Sequence, residues 1–235
     1  MTDARSPRTV LVTGAAGHLG QAVSALFAER GDNVVLVGRR ASLERSFGSE
    51  TPQRMFAAAD LLDGTQVEAA VAAAVQRFGG IAVLCNIAGG FSSGTPVHAT
   101  PDDAWTRMFD LNLRTTLNAI RAVVPTMLER GGGKVVNVAA GAGLKAGASM
   151  GPYAASKSAV IRITEAMAAE LREKNINVNC VLPTVIDTPD NRSAMPAGDP
   201  SRWVSPRDLA RVIAFLASDD ARAIHGAAIP VSGLS

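Results

Sequence analysis

An α/β fold, a doubly wound parallel sheet of seven strands with helices on both faces, follows from three features of the 235-residue sequence. Short runs rich in Val, Ile and Leu alternate with longer Ala-rich or amphipathic runs. The short runs are almost continuously apolar, as strands covered on both faces require. Aromatic residues are only 4% of the chain against 47% hydrophobic residues, so the core must be built mainly from Ala, Val, Leu and Ile. That composition suits Ala-rich helices on a parallel sheet.

The elements follow in order. TVLVTG at 9–14 reads as a strand and about 19–30 as a helix. NVVLVG at 33–38 and RMFAAAD at 54–60 read as the second and third strands. A helix at 67–78 leads to a fourth strand, IAVLCNIAG, at 81–89. A long helix fills most of 102–130, and KVVNVAA at 134–140 is the fifth strand. A helix at about 152–174 precedes the sixth strand, INVNCVLP, at 176–183. A helix at 205–218 and a strand at 227–233 complete the pattern. Right-handed crossovers between parallel strands favour the doubly wound arrangement. With no linker or internal repeat, residues 1–235 read as a single domain. The Pro/Gly/Asp-rich segment 187–206 lies just past the sixth strand and reads as a substrate lid in preference to a plain surface loop.

A formal charge of +2, with Lys and Arg scattered, argues against a nucleic-acid or membrane surface and leaves a small molecule as the expected partner. Cys85 and Cys180 sit in apolar runs far apart, as buried free thiols do. No His/Cys/Asp/Glu set has metal-ligand spacing, so no metal is expected. The opening MTDARSPRTV has no apolar signal region, and no run reaches membrane-spanning length, so a cytoplasmic protein is expected.

In open α/β sheets, ligands bind beyond the strands' carboxyl ends, where the strand order reverses. Here the first strand runs into TGAAGHLG, with Gly14, Gly17 and Gly20 ahead of a helix. Glycines permit the tight turn and close backbone approach, and the helix N-terminus favours an anion such as a dinucleotide pyrophosphate. The spacing alone is weak; its place in the first βαβ unit strengthens it. The second strand ends in Arg39 and Arg40 rather than an acidic residue, and Asp32 lies at the opposite end. An Arg at that point can grip a 2′-phosphate, so NADP(H) is preferred and NAD(H) is the alternative.

GPYAASKSAV at 151–160 places Tyr153 and Lys157 on one helix face. A phenol beside an ammonium is a route to acid–base work, because the positive charge favours phenolate. A surface Tyr/Lys pair would be unremarkable by itself, but Tyr153 is the chain's only tyrosine.

TGAAGHLG, CNIAGG, Asn112, YAASK and VLPTVIDTP, in that order over about residues 8–233, resemble the short-chain dehydrogenase/reductase (SDR) family. The resemblance implies a seven-stranded Rossmann domain, a nicotinamide cofactor and oxidoreductase activity. Tyr153 would be the acid–base, Lys157 its pKa-lowering partner that also holds the nicotinamide ribose, and Asn112 the holder of a water linking Lys157 to solvent. The nucleotide loop Gly14, Gly17, His18, Leu19 and Gly20, then Asp60 with Leu61, Asn86, Ala88 and Gly89, and Pro183, Ile186 and Thr188 would border the cofactor. In this family such helices, here carrying Leu113, Leu117, Ile120 and Val124, and Ala159, Ile163, Ala166 and Ala169, commonly pack between subunits, the alternative being that these residues face the protein's own sheet. The resemblance therefore implies a homo-oligomer, a tetramer or dimer.

Three positions depart from the family pattern. His18 takes the place of a glycine, and Thr184 follows Pro183 where a glycine is usual. Ala140 stands thirteen residues before Tyr153, at the position of the catalytic serine. Loss of one such hydroxyl donor costs roughly 3 kcal/mol of transition-state stabilisation. A quinonoid or imine substrate, already electron-poor, would suffer less than a plain carbonyl. The run LPTVIDTPDNRSAMPAGDPSRW at 182–203, with the absent serine, resembles the dihydropteridine-reductase branch. Ala140 also leaves open a catalytically impaired dinucleotide-binding regulatory protein. Ser149 reads as a plain loop serine rather than a substitute donor.

Overall fold

The computed structural model describes residues 7–235. β1 (Thr9–Thr13) is central, flanked by β2 (Asn33–Gly38) and β4 (Val83–Asn86). β3 (Arg54–Ala58) lies outside β2, and β5 (Gly133–Val138), β6 (Ile176–Pro183) and β7 (Ala228–Val231) continue beyond β4. All seven strands are parallel in the order β3-β2-β1-β4-β5-β6-β7. The order reverses between β1 and β4, so the expected crevice opens past Thr13 and Asn86.

Alternation along each strand explains the two covered faces. In β1, Val10 and Val12 join one core and Leu11 the other; in β2, Val34 and Leu36 oppose Val35 and Val37. The first core receives Val23 and Phe27 of α1 (His18–Glu29), Leu43 of α2 (Arg40–Phe47) and Leu209 and Ile213 of α8 (Pro206–Leu216). The second receives Val71 and Ala74 of α3 (Gly64–Phe78), Val123 and Met127 of α5 (Thr115–Arg130) and Met167 and Leu171 of α6 (Gly151–Leu171).

Most differences from the sequence reading have local causes. α3 begins at Gly64 rather than 67 because Asp63 caps it, accepting from the Thr65 and Gln66 amides. α2 was not expected; its one buried residue, Leu43, is too little to mark an apolar face. The long helix over 102–130 is α4 (Asp102–Phe109) and α5, joined through a π-helical turn at Asp110–Arg114. The apolar pattern runs through that junction without a break. Within segment 187–206, a short helix α7 (Pro189–Ala194) is capped by Thr188, and bonds from Asp187 to Val204 and from Val204 to Val185 close its base.

Among the described residues no helix is long and apolar enough to cross a membrane. Cys85 and Cys180 are buried and unbridged, and burial raises both thiols, Cys180 to about 11.

Candidate active site

A cleft of about 1690 Å3 opens at the carboxyl edge of the sheet. Its nucleotide end is the β1–α1 turn. Gly14 sits at φ +62°, and a Cβ there would lie 2.8 Å from the Ala88 backbone. A Cβ on Gly20 would meet the Ala15 Cα at 2.7 Å, so α1 can approach the strand only with glycine here. The α1 N-cap, Gly17, offers no side-chain bond and the first turn holds no acid. The leading amides and the positive end of the dipole therefore face the cleft, a fit for a pyrophosphate.

His18, Leu19, Arg39, Arg40, Asp60 and Leu61 continue this wall. The two arginines differ. Arg40 lies 3.8 Å from Glu44 and 3.6 Å from Glu50, whereas Arg39, exposed at the α2 N-cap, makes no ion pair among the described residues. Asp60 accepts from the Leu62 amide at 2.9 Å, which shapes the turn after β3. Asp32 holds Arg8 at the far end of β2, away from the cleft.

At the opposite end, Ala88 and Gly89 follow β4, Pro183 ends β6 with Ile186 and Thr188 beyond it, and Tyr153 and Lys157 rise from α6. Lys157 is buried, and its Nζ donates to the Val138 carbonyl at 2.8 Å. A Cβ on Gly89 would fall 3.2 Å from that Nζ and 2.6 Å from Asn112 Oδ1, so this glycine lets the loop after β4 pass against both groups. The loop after β5 is fixed by a bond from Ser158 Oγ to the Gly143 carbonyl, and it carries Ala140, 4% exposed, onto the cleft wall. Phe91, 62% exposed, meets the Tyr153 ring edge-on at 4.9 Å between centroids. This neighbour was missed, although an aromatic in a Gly/Ser-rich loop of an aromatic-poor chain was a readable signal.

Burial pushes the Tyr153 phenol up to about 12 and lowers Lys157 to about 8. The ammonium bonds a carbonyl, and its own desolvation weakens its hold on charge. Two expected site residues stand behind the wall. Asn86, 2% exposed, donates to Asn137 Oδ1 at 2.9 Å within the sheet. Asn112, 1% exposed, has its side-chain amide committed to protein partners: Oδ1 accepts from the Gly90 amide, and Nδ2 donates to the Gly90 carbonyl and Ser156 Oγ. The Asn112 main-chain carbonyl accepts from Thr116 Oγ1 at 3.0 Å. Segment 187–206 contributes Thr188, Asp190, Asn191, Ala194 and Met195 to the cleft.

A parallel sheet with this strand order and an anion-ready glycine turn at its switch point defines a dinucleotide-binding α/β protein. Residues 8–197 match the short chain dehydrogenase family, and the chain belongs to that family of oxidoreductases. It is 32% identical to the 2-(R)-hydroxypropyl-CoM dehydrogenase of Xanthobacter autotrophicus, over 96% of this chain and 97% of that protein. The structure superposes on a 3-ketoacyl-(acyl-carrier-protein) reductase of Brucella melitensis complexed with NADH, with a TM-score of 0.87 and 30% identity over 98% of each chain. It also superposes on ElxO with NADP bound, with a TM-score of 0.89 and 25% identity over 97% of this chain and 98% of the other.

Proposed function

We propose that the protein reduces a small carbonyl, quinonoid or imine compound with NADPH, Tyr153 giving the proton. The observation that carries this reading is a half-buried phenol and a buried ammonium at one end of a cleft whose other end suits a pyrophosphate. When bound, the dinucleotide supplies a hydride to the substrate's electrophilic carbon. The β1–α1 turn would hold its pyrophosphate and Asp60 with Leu61 its adenine end. Lys157 would hold the nicotinamide ribose, and Pro183, Ile186 and Thr188 the carboxamide.

Tyr153 suits the reducing direction. A phenol raised to about 12 keeps its proton at neutral pH, yet an alkoxide is a stronger base and takes it. Lys157, charged below about 8, steadies the phenolate that remains. Segment 187–206 serves as the lid. Leu113, Leu117, Ile120 and Val124 are half-buried, with Leu113, Ile120 and Val124 packed in part on the chain's own core, so pairing with a second copy rests on the family resemblance.

Arg39 carries the choice of NADPH, because Arg40 is already shared between two carboxylates. Arg39→Ser is expected to lower NADPH affinity by about 10–100-fold, the loss of a charge-assisted bond, with NADH affinity within about twofold. Fluorescence titration with both cofactors reads this, and equal losses for the two would remove Arg39 from 2′-phosphate recognition.

No hydroxyl is present at Ala140, so an electron-poor acceptor is the better substrate. The resemblance of 182–203 to the dihydropteridine-reductase branch supports the same view. Ala140→Ser is expected to raise kcat on simple ketones by about 100-fold and to change quinone reduction far less. Parallel assays on a ketone and an ortho-quinone decide it; no gain on the ketone would count against this reading of position 140. Ala140 also favours a second reading, a regulatory protein that binds the dinucleotide without turnover.

A further inference from the structure

We infer that Ser156 is a positioning residue that ties the Tyr153 turn to the β4 loop through Asn112. This rests on Tyr153 being the acid–base of the proposed reaction. Ser156 is wholly buried, and its one hydroxyl both donates to the Tyr153 carbonyl at 2.7 Å and accepts from Asn112 Nδ2 at 3.0 Å. The same Asn112 amide clamps Gly90, accepting from its N–H at 2.9 Å and donating to its carbonyl at 3.1 Å. Next to Gly90 stands Phe91, whose ring closes on the Tyr153 ring. The contacts therefore form a closed circuit: Gly90, Asn112, Ser156, Tyr153, Phe91 and back to Gly90.

A helical serine often bonds the carbonyl three residues back, and that alone would mean little. What sets Ser156 apart is the second bond at the same oxygen, from a different helical segment. The π turn at Asp110–Arg114 carries Asn112, and such turns recur at functional sites. The amide orientation is also forced. Reversed, Asn112 would set N–H against the Gly90 N–H and a carbonyl oxygen against the Gly90 carbonyl. Loss of the hydroxyl would leave a buried Asn112 N–H without a partner and free the circuit at the corner that sets the phenol's place.

The chain's single tyrosine makes the test direct, because every tyrosine ring resonance belongs to Tyr153. NMR of the tyrosine-labelled full chain is recorded for the parent, Ser156→Ala and Ser156→Thr. In Ser156→Ala the ring resonances are expected to move toward those of free tyrosine as the Phe91 contact loosens. The kcat with 9,10-phenanthrenequinone should fall about 10-fold or more, with NADPH affinity within about twofold. Ser156→Thr, which keeps the γ-oxygen, should restore both. Unchanged ring resonances in Ser156→Ala would overturn the tether, as would a shift that Ser156→Thr fails to reverse. If Ser156→Ala does not fold, Asn112→Ala opens the same circuit and is read by the same resonances. Should Tyr153→Phe retain full turnover, the acid–base reading falls while the NMR result still decides the tether.

Discussion

Tyr153→Phe is expected to lower kcat by about 10²–10⁴-fold, the usual share of general acid catalysis, while NADPH affinity stays within about twofold. The substitution removes one oxygen and leaves the ring against Phe91, so the cleft keeps its shape. The loss falls on kcat because the proton is needed only as the alkoxide or amide anion develops. Steady-state kinetics with a fluorescence titration of NADPH separate the two quantities. Turnover equal to the parent's would remove Tyr153 from the chemistry.

Lys157→Met should be nearly as severe but differently distributed. On the proposed reading the ammonium holds the ribose and steadies the phenolate, so kcat is expected to fall about 100-fold or more and NADPH affinity about 10-fold or more. The pH profile carries its signature. Burial lowers this lysine to about 8, so its charge is lost as pH rises through that value. Reduction by the parent should decline above about pH 8, and the residual activity of Lys157→Met should not follow that decline. Stability moves the other way. Between about 8 and the ordinary value of 10.5 the unfolded chain holds a proton that the folded one has lost. The Lys157 contribution to stability therefore rises with pH across that window. A parental rate flat through this range would contradict the assigned role.

Much of the scaffold was legible because the parallel sheet writes itself as β-branched runs. β2 at 33–38 and β6 at 176–183 coincide with the expected spans, each nearly wholly buried. The nucleotide turn was legible as well, since glycine at 14 and 20 answers close backbone contacts that no other residue tolerates. Short helices with little apolar surface were not. α2 buries Leu43 fully and Phe47 only in part, and α7 has six residues and none buried.

At the site, residue types were readable and environments were not. Motif order picked out Tyr153 and Lys157, but the direction of the phenol's pKa depends on how far the fold buries it. A charged neighbour in sequence says nothing about how deeply that group is buried, and Lys157 is buried with its Nζ donating to the Val138 carbonyl. The saturation of Asn112 was hidden for a related reason. It depends on a one-residue change in helical winding that no apolar periodicity records.

The most direct measurement is NADPH oxidation followed by absorbance while the protein is offered a broad set of ketones, aldehydes, quinones and cyclic imines. Turnover of at least one electron-poor acceptor, abolished in Tyr153→Phe, is the expected result. Tight NADPH binding with no acceptor reduced would contradict it and leave a dinucleotide-binding protein without catalysis.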